Sequence, residues 1–307
     1  MKRILLHCSA VLFLLFFYGL TPVAAQTATA IQQLFSKGTV FHSNIPYAED
    51  TLQKHLLDLY LPEKVRTKTP VVVFIHGGAW MLNDKYADMN YMRNTVREMV
   101  DSGYALASID YRHSTTAPFP AQVQDCNRAV EFLYRHADQY HLDKNRIALI
   151  GFSAGGHLAS LMALSHNNSV ADFYPNGTKP GFNIKCVLDF YGPSDLIAAS
   201  MSTDTAANNA RSPVAVLLGA EPVNRPDLAK RASPVTYIDK ADPPFFIVNG
   251  EKDESVPNTL SKLLHGWLNV YGVPNELLIV PGAPHYGPMF DEPWIRQRLF
   301  GFLKKYL

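Results

Sequence analysis

A chain of 307 residues with 47% hydrophobic content is long enough to bury a large core, which excludes an intrinsically disordered polypeptide and fits one α/β domain of ordinary enzyme size. The formal net charge is +1, with no long basic or acidic block. Electrostatics therefore give no reason to expect nucleic acid or an anionic membrane as partner, nor a polyanionic substrate.

Lys2 and Arg3 precede an apolar run from Ile4 to Leu20, and Val23-Ala24-Ala25 supplies small residues before Gln26. This pattern predicts a secretory signal peptide over 1–25 and a mature chain that begins near Gln26, secreted or periplasmic. The rival is a transmembrane anchor. The run is short, is interrupted by Cys8 and Ser9 and ends in a cleavage-like site, so no stable membrane insertion is expected after cleavage.

From Thr39 to Tyr60 the alternation of Leu57, Leu59 and Leu61, ending at Pro62, predicts early strands in an antiparallel hairpin at a sheet edge. Strand and helix then alternate: Val71 to Ile75, Met89 to Val100, Tyr104 to Ile109, Ala121 to Tyr140, Ile147 to Ile150 and a helix after Ser153. Cys186 to Phe190, Phe245 to Asn249, Leu260 to Tyr271 and Glu276 to Val280 continue the rhythm, and a last helix opens at Pro293 with Ile295, Leu299, Phe302 and Leu303 on its apolar face. That order predicts an α/β fold with a mostly parallel central sheet and helices on both faces. Residues 198–240 are rich in Ala, Asn, Ser and Pro, with one helix-like piece at Val214 to Leu218. They read either as an inserted segment near the active-site mouth or as a long surface connection. A single domain over 26–307 is the economical division.

Cys126 falls on a helix face with Val123, Val130 and Leu133, and Cys186 alternates with Ile184 and Leu188 on a strand, so two buried thiols are expected rather than a disulfide. Neither CxxC nor HExxH spacing occurs, and neither a metal nor a cofactor is expected.

Gly151-Phe152-Ser153-Ala154-Gly155 is a G-x-S-x-G pentapeptide between a short apolar block and a helical pattern, the setting of a nucleophilic serine on a sharp strand-to-helix turn. An alcohol is a weak nucleophile at neutral pH. It needs a base, and the base needs a group that fixes its tautomer and supports its positive charge. The loop after Phe245 to Asn249 holds Glu251, Asp253 and Glu254, and the loop after Glu276 to Val280 holds His285. A histidine beyond a late strand, after an acidic loop beyond the preceding one, lies where an open α/β sheet forms its ligand crevice. His285 is the base and Asp253 the acid in this reading, although spacing alone does not separate the three carboxylates.

His76-Gly77-Gly78-Ala79-Trp80 follows the strand at Val71 to Ile75 and supplies oxyanion donors through the amides of Gly78 and Ala79, with Ala154 giving another from the elbow. His76 is expected to brace the loop without carrying a proton. Trp80 is either a substrate platform or a packed aromatic. Asp110-Tyr111-Arg112 reads as a brace for the oxyanion loop, and His157 and Asp189 as structural.

With Ile45-Pro46-Tyr47, Leu57-Asp58-Leu59-Tyr60-Leu61-Pro62, Phe190-Tyr191-Gly192-Pro193 and Ala232-Ser233-Pro234-Val235-Thr236-Tyr237, these motifs span nearly the whole mature chain. Together they resemble the α/β-hydrolase esterases of the hormone-sensitive-lipase type, and more closely the smaller secreted esterases grouped with bacterial feruloyl and acetyl-xylan esterases. The resemblance implies Ser153 as nucleophile, Asp253 as acid and His285 as base. It departs from the family at Ala79, where a third glycine is frequent, and at Pro284-His285-Tyr286, where glycine often flanks the histidine.

The expected function is a secreted serine carboxylesterase working through an acyl-enzyme on short-acyl or hydroxycinnamoyl esters, with a small ester or acylated carbohydrate as substrate. Two alternatives stand beside it. One is an amidase resembling arylformamidases, which share the HGG-Trp loop but act inside cells; the other is a noncatalytic binding protein on a hydrolase fold.

Overall fold

Val71, Val72, Val73, Phe74 and Ile75 are all inaccessible to solvent, as befits a strand covered on both faces. In this computed structural model, which describes residues 29–64, 68–202 and 210–307, they belong to an eight-stranded sheet. Its strands are β1 (Val40–Pro46), β2 (Leu56–Leu61), β3 (Thr69–Ile75), β4 (Ala105–Ile109), β5 (Leu142–Phe152), β6 (Ile184–Phe190), β7 (Phe245–Gly250) and β8 (Asn275–Val280). The spatial order is β1-β2-β4-β3-β5-β6-β7-β8. β1 and β2 pair antiparallel and β2 joins β4 antiparallel, so the expected hairpin forms one edge; from β4 to β8 every pairing is parallel. The signal-peptide expectation for 1–25 falls outside the described residues. Among the described residues no helix is long and apolar enough to cross a membrane.

From β3 the chain steps outward to β4 and then returns across β3 to β5. The strand order therefore reverses between β3 and β5, and a crevice opens beyond their carboxyl ends. Two apolar cores flank the sheet. Helices Ala121–Arg135, Ala154–His166 and Asn258–Val270 cover the face carrying Val71, Val73 and Ile75, while Arg93–Asp101 and Pro293–Tyr306 cover the face carrying Val72 and Phe74.

Several boundaries differ from the sequence-based expectation. The helix expected from Met89 starts at Arg93, because the Asp291 carboxylate accepts the Asn94 and Thr95 N–H groups, each at 2.9 Å, and fixes the first turn there. The helix expected to reach Tyr140 stops at Arg135, and the His136 ring bonds back to the Phe132 carbonyl at 2.9 Å. β5 extends upstream to Leu142 through polar residues that show no apolar pattern. Within 198–240 three short helices were not all foreseen: Leu196–Ser202, Pro213–Leu218 and Pro226–Arg231, followed by a 3₁₀ turn at Pro234–Tyr237. Six or seven residues are too few for a clear period, although Pro213 and Pro226 sit at the first helical position.

Cys126 and Cys186 are free and buried, one in each core, so the sheet separates them. Ile184 packs on the face opposite Cys186, contrary to the expected alternation, because the β5–β6 register shifts between Ile147 and Ala148.

Candidate active site

β5 ends at Phe152 and the helix Ala154–His166 begins two residues later, so Ser153 must reverse the chain in one step. It does so at φ 52° and ψ −116°, a conformation costing about 1–3 kcal/mol for a side-chain-bearing residue. The flanking glycines make room for the turn. A Cβ on Gly151 would lie 2.1 Å from the Gly155 carbonyl oxygen, and one on Gly155 would lie 2.0 Å from that of Ile75. Backbone bonds from Ser153 N–H to the Phe190 carbonyl, 2.8 Å, and from His157 N–H to the Ser153 carbonyl, 2.9 Å, hold the elbow in place.

Three sequence-singled residues converge here. Ser153 Oγ lies 2.8 Å from His285 Nε2, donating to it, and His285 Nδ1–H donates to Asp253 Oδ2 at 2.7 Å. The other Asp253 oxygen accepts the N–H groups of Ser255 at 2.9 Å and Val256 at 2.8 Å. The Asp253 side chain is inaccessible and that of His285 is 15% exposed, so solvent reaches only one end of the relay. Glu251 and Glu254 are exposed, whereas Asp253, the acid favoured by the sequence, is the carboxylate that meets His285. Glu251 ties the two loops together instead, accepting the Gly282 N–H at 2.8 Å.

After β3 the chain runs through three successive residues with positive φ, Gly78 (119°), Ala79 (53°) and Trp80 (60°). Among the described residues no protein acceptor engages the N–H of Gly78, Ala79 or Ala154. Gly77 lies against the elbow, where an added Cβ would sit 2.9 Å from the Phe152 carbonyl oxygen and 3.4 Å from Ser153 Cβ.

The brace expected beneath this loop is present. The Tyr111 hydroxyl donates to the His76 carbonyl at 2.9 Å, and its ring stacks on the His76 imidazole at 4.3 Å. His76 is fully buried, bonds to the Gly77 carbonyl at 2.7 Å and is pushed down to about 3 by burial, so it is neutral. Asp110 faces Lys54 Nζ at 3.0 Å and Lys85 Nζ at 3.6 Å. Arg112 grips Asp125 through two guanidinium bonds of 2.8 and 2.7 Å.

Trp80, one of whose two readings was a substrate platform, is 4% exposed and packs. Its indole N–H donates to His157 Nδ1 at 3.1 Å, and His157 Nε2–H donates to the Ala232 carbonyl at 2.7 Å. Burial drives His157 down to about 4, and the neutral ring links the loop after β3, the helix Ala154–His166 and the 198–240 segment. Asp189 accepts Ser160 Oγ at 2.7 Å and the Gly192 N–H at 2.9 Å, and burial raises it to about 6.

Sequence reasoning missed Asp88 and Tyr91, and it quoted Tyr191 only within a motif, without a role. Asp88 Oδ2 accepts the Gly77 N–H at 2.7 Å and Oδ1 accepts the Tyr91 hydroxyl; burial raises its pKa against those two bonds. Tyr91 Oη lies 3.3 Å from Tyr191 Oη, and the Tyr191 ring meets the His285 ring edge-on at 4.9 Å. This chain of contacts connects the loop after β3 to His285. Asp88 carried only one faint sequence signal, its place in a polar stretch shortly after the HGG motif.

Comparison with known proteins identifies the relatives of this chain. Esterase LipQ of Mycobacterium tuberculosis (strain ATCC 25618 / H37Rv) is 31% identical over 251 residues, covering 79% of this chain and 56% of that protein. The chain spans about half the length of the curated relatives it matches. Among solved structures, a truncated carbohydrate esterase from gut microbiota superposes with a TM-score of 0.79 at 29% identity, covering 88% of this chain and 98% of that one. A bifunctional GH43-CE protein of Bacteroides eggerthii gives a TM-score of 0.79 at 34% identity, over 86% of this chain and 38% of that one. The family model described as BD-FAE matches residues 57–268, from β2 through most of the helix Asn258–Val270, and the chain therefore belongs to the BD-FAE family on an α/β-hydrolase fold.

Proposed function

We propose that this protein is an exported serine carboxylesterase that removes short acyl or hydroxycinnamoyl groups from carbohydrate through an acyl-enzyme. The observation that carries the reading is the Ser153–His285–Asp253 relay, at 2.8 and 2.7 Å, beside a loop whose amides have no acceptor among the described residues. Ser153 Oγ attacks the acyl carbon as its proton passes to His285 Nε2, and Asp253 supports the imidazolium that forms. The oxyanion turns toward the N–H groups of Gly78, Ala79 and Ala154, already fixed before charge develops. His285 then protonates the leaving alcohol, and a water activated by the same imidazole releases the acid. The carbohydrate assignment is supported by the two structural relatives named as carbohydrate esterase and GH43-CE. Export is supported by the pattern of residues 1–25, and we read 198–240 as bordering the site through the His157–Ala232 bond.

Turnover of acetylated xylan, feruloyl esters and p-nitrophenyl esters of rising chain length tests the substrate class, and Ser153→Ala is expected to abolish whichever activity appears. Activity persisting in that variant would sink the mechanism. A fluorophosphonate probe is expected to label Ser153, and failure to label would favour a binding role. Amino-terminal sequencing of exported protein is expected to begin near Gln26.

A further inference from the structure

A groove of about 630 Å³ opens between the helices Arg93–Asp101 and Pro293–Tyr306, within the range of roughly 300–1,000 Å³ found for small-molecule sites. Asn90, Tyr91, Arg93, Asn94, Glu292 and Arg296 line it. Tyr91 joins it to the catalytic crevice. The Tyr91 ring centroid lies 6.1 Å from that of Tyr286, and the Tyr286 ring lies 6.2 Å from the His285 imidazole. Tyr286 is 64% exposed, a large aromatic face left open directly after the base.

Reaction chemistry decides which half of an ester this flank receives. The proton that leaves Ser153 is delivered by His285 to the alcohol oxygen, so the alcohol must lie over the imidazole while the acyl chain lies away from it. The groove therefore continues the alcohol side. Its lining argues against a long alkyl alcohol, because Asn90, Arg93 and Glu292 are exposed hydrogen-bonding side chains. Among the described residues Arg93 bonds only to the Asn90 carbonyl, at 2.9 Å, leaving most of its donors unused. Tyr286 meets the groove through Tyr91, so an exposed aromatic face followed by a lining of donors and acceptors suits a saccharide, one ring of which packs its C–H face on Tyr286 while hydroxyls further along reach the polar groups.

We propose that Tyr286, as a stacking face between the His285 imidazole and Tyr91, and the adjoining groove, with Arg93 as its donor, together form the subsite for the saccharide alcohol of the ester. The inference rests on the ester-hydrolase reading above. Its test compares kcat/KM for an acetylated xylo-oligosaccharide with that for ethyl acetate, whose alcohol is too small to enter the groove, in the wild type, Tyr286→Ala and Arg93→Ala. The expected result is a fall in the saccharide-to-ethyl ratio of roughly tenfold for Tyr286→Ala, about 1.4 kcal/mol, and a smaller fall for Arg93→Ala. Deacetylated xylo-oligosaccharide is expected to inhibit wild type competitively and Tyr286→Ala more weakly. An unchanged ratio in both variants, or ethyl acetate hydrolysis with no preference for the saccharide ester, would overturn the subsite while Ser153 still labels with fluorophosphonate. Loss of that labelling in the wild type would instead overturn the ester-hydrolase reading on which it rests.

Discussion

The loops after β3 and β5 are pinned by bonds to groups on other segments, whereas the loops after β7 and β8 carry the imidazole near the surface. On the first side, Gly77, His76, Trp80 and Ser153 are held by Asp88, Tyr111, His157 and the Phe190 carbonyl respectively. On the second, His285 is fixed by Asp253 and the edge of Tyr191, and its neighbour Tyr286 stands open to solvent. The difference follows the chemistry. Oxyanion donors work only if they need no reorganisation when charge develops. In the proposed mechanism His285 meets a series of partners, from Ser153 to alcohol to water, and it needs an open side.

The comparison breaks most sharply at Asp253. Asparagine there would keep the backbone bonds of Ser255 and Val256 to its one oxygen, and would therefore present an N–H to His285 in place of the carboxylate oxygen. Asp253→Asn is expected to lower kcat by about 10⁴ with little change in melting temperature. A loss below tenfold would show that the exposed side of the crevice does not depend on its buried acid. The pinned side breaks more gently at Asp88, a positioning residue. Asp88→Ala frees the Gly77 N–H and displaces the donors without deleting one, so a fall in kcat of roughly 10–10² is expected, with KM nearly unchanged. Asp88→Asn is expected to recover most of it, since its amide oxygen still accepts from Gly77. Equal losses in the two variants would place the effect in the charge and not in the anchor.

This asymmetry also explains what could be read in advance. Ser153, Asp253 and His285 were legible because each follows a strand of strong apolar character, and glycines mark the elbow where side chains would collide. The sequence favoured Asp253 without separating it from Glu251 and Glu254, and the fold distinguishes them, because Asp253 meets His285 while both glutamates are exposed. The supports of the pinned side were largely silent. Asp88 matters because of a contact with Gly77, and the helix at Arg93 starts where a distant Asp291 caps it. Neither contact leaves a local period. Trp80 was ambiguous for the same reason, since its role is set by His157 and Ala232 on two other segments.

That last contact yields the smallest effect and the finest test of the comparison. His157 is held down to about 4 by burial, against an ordinary value of 6.5, and His76 to about 3. Between about pH 6.5 and pH 4 the unfolded chain takes up protons at these rings and the folded protein does not. Their neutral form therefore contributes fully above about pH 6.5, and stability falls as the pH drops toward 4. His157→Gln removes one titrating ring while keeping an acceptor for the Trp80 indole and a donor for the Ala232 carbonyl. It is expected to lower the melting temperature at pH 7, by about 1 kcal/mol of lost packing and bond geometry, yet to flatten its decline between pH 6.5 and 4.5. His76 maintains a residual slope. Melting curves that run parallel in wild type and variant over that range would mean that the burial around His157 does not keep the ring neutral. The tight packing of the pinned side would then be looser at its inner end than the Trp80–His157–Ala232 bonds imply.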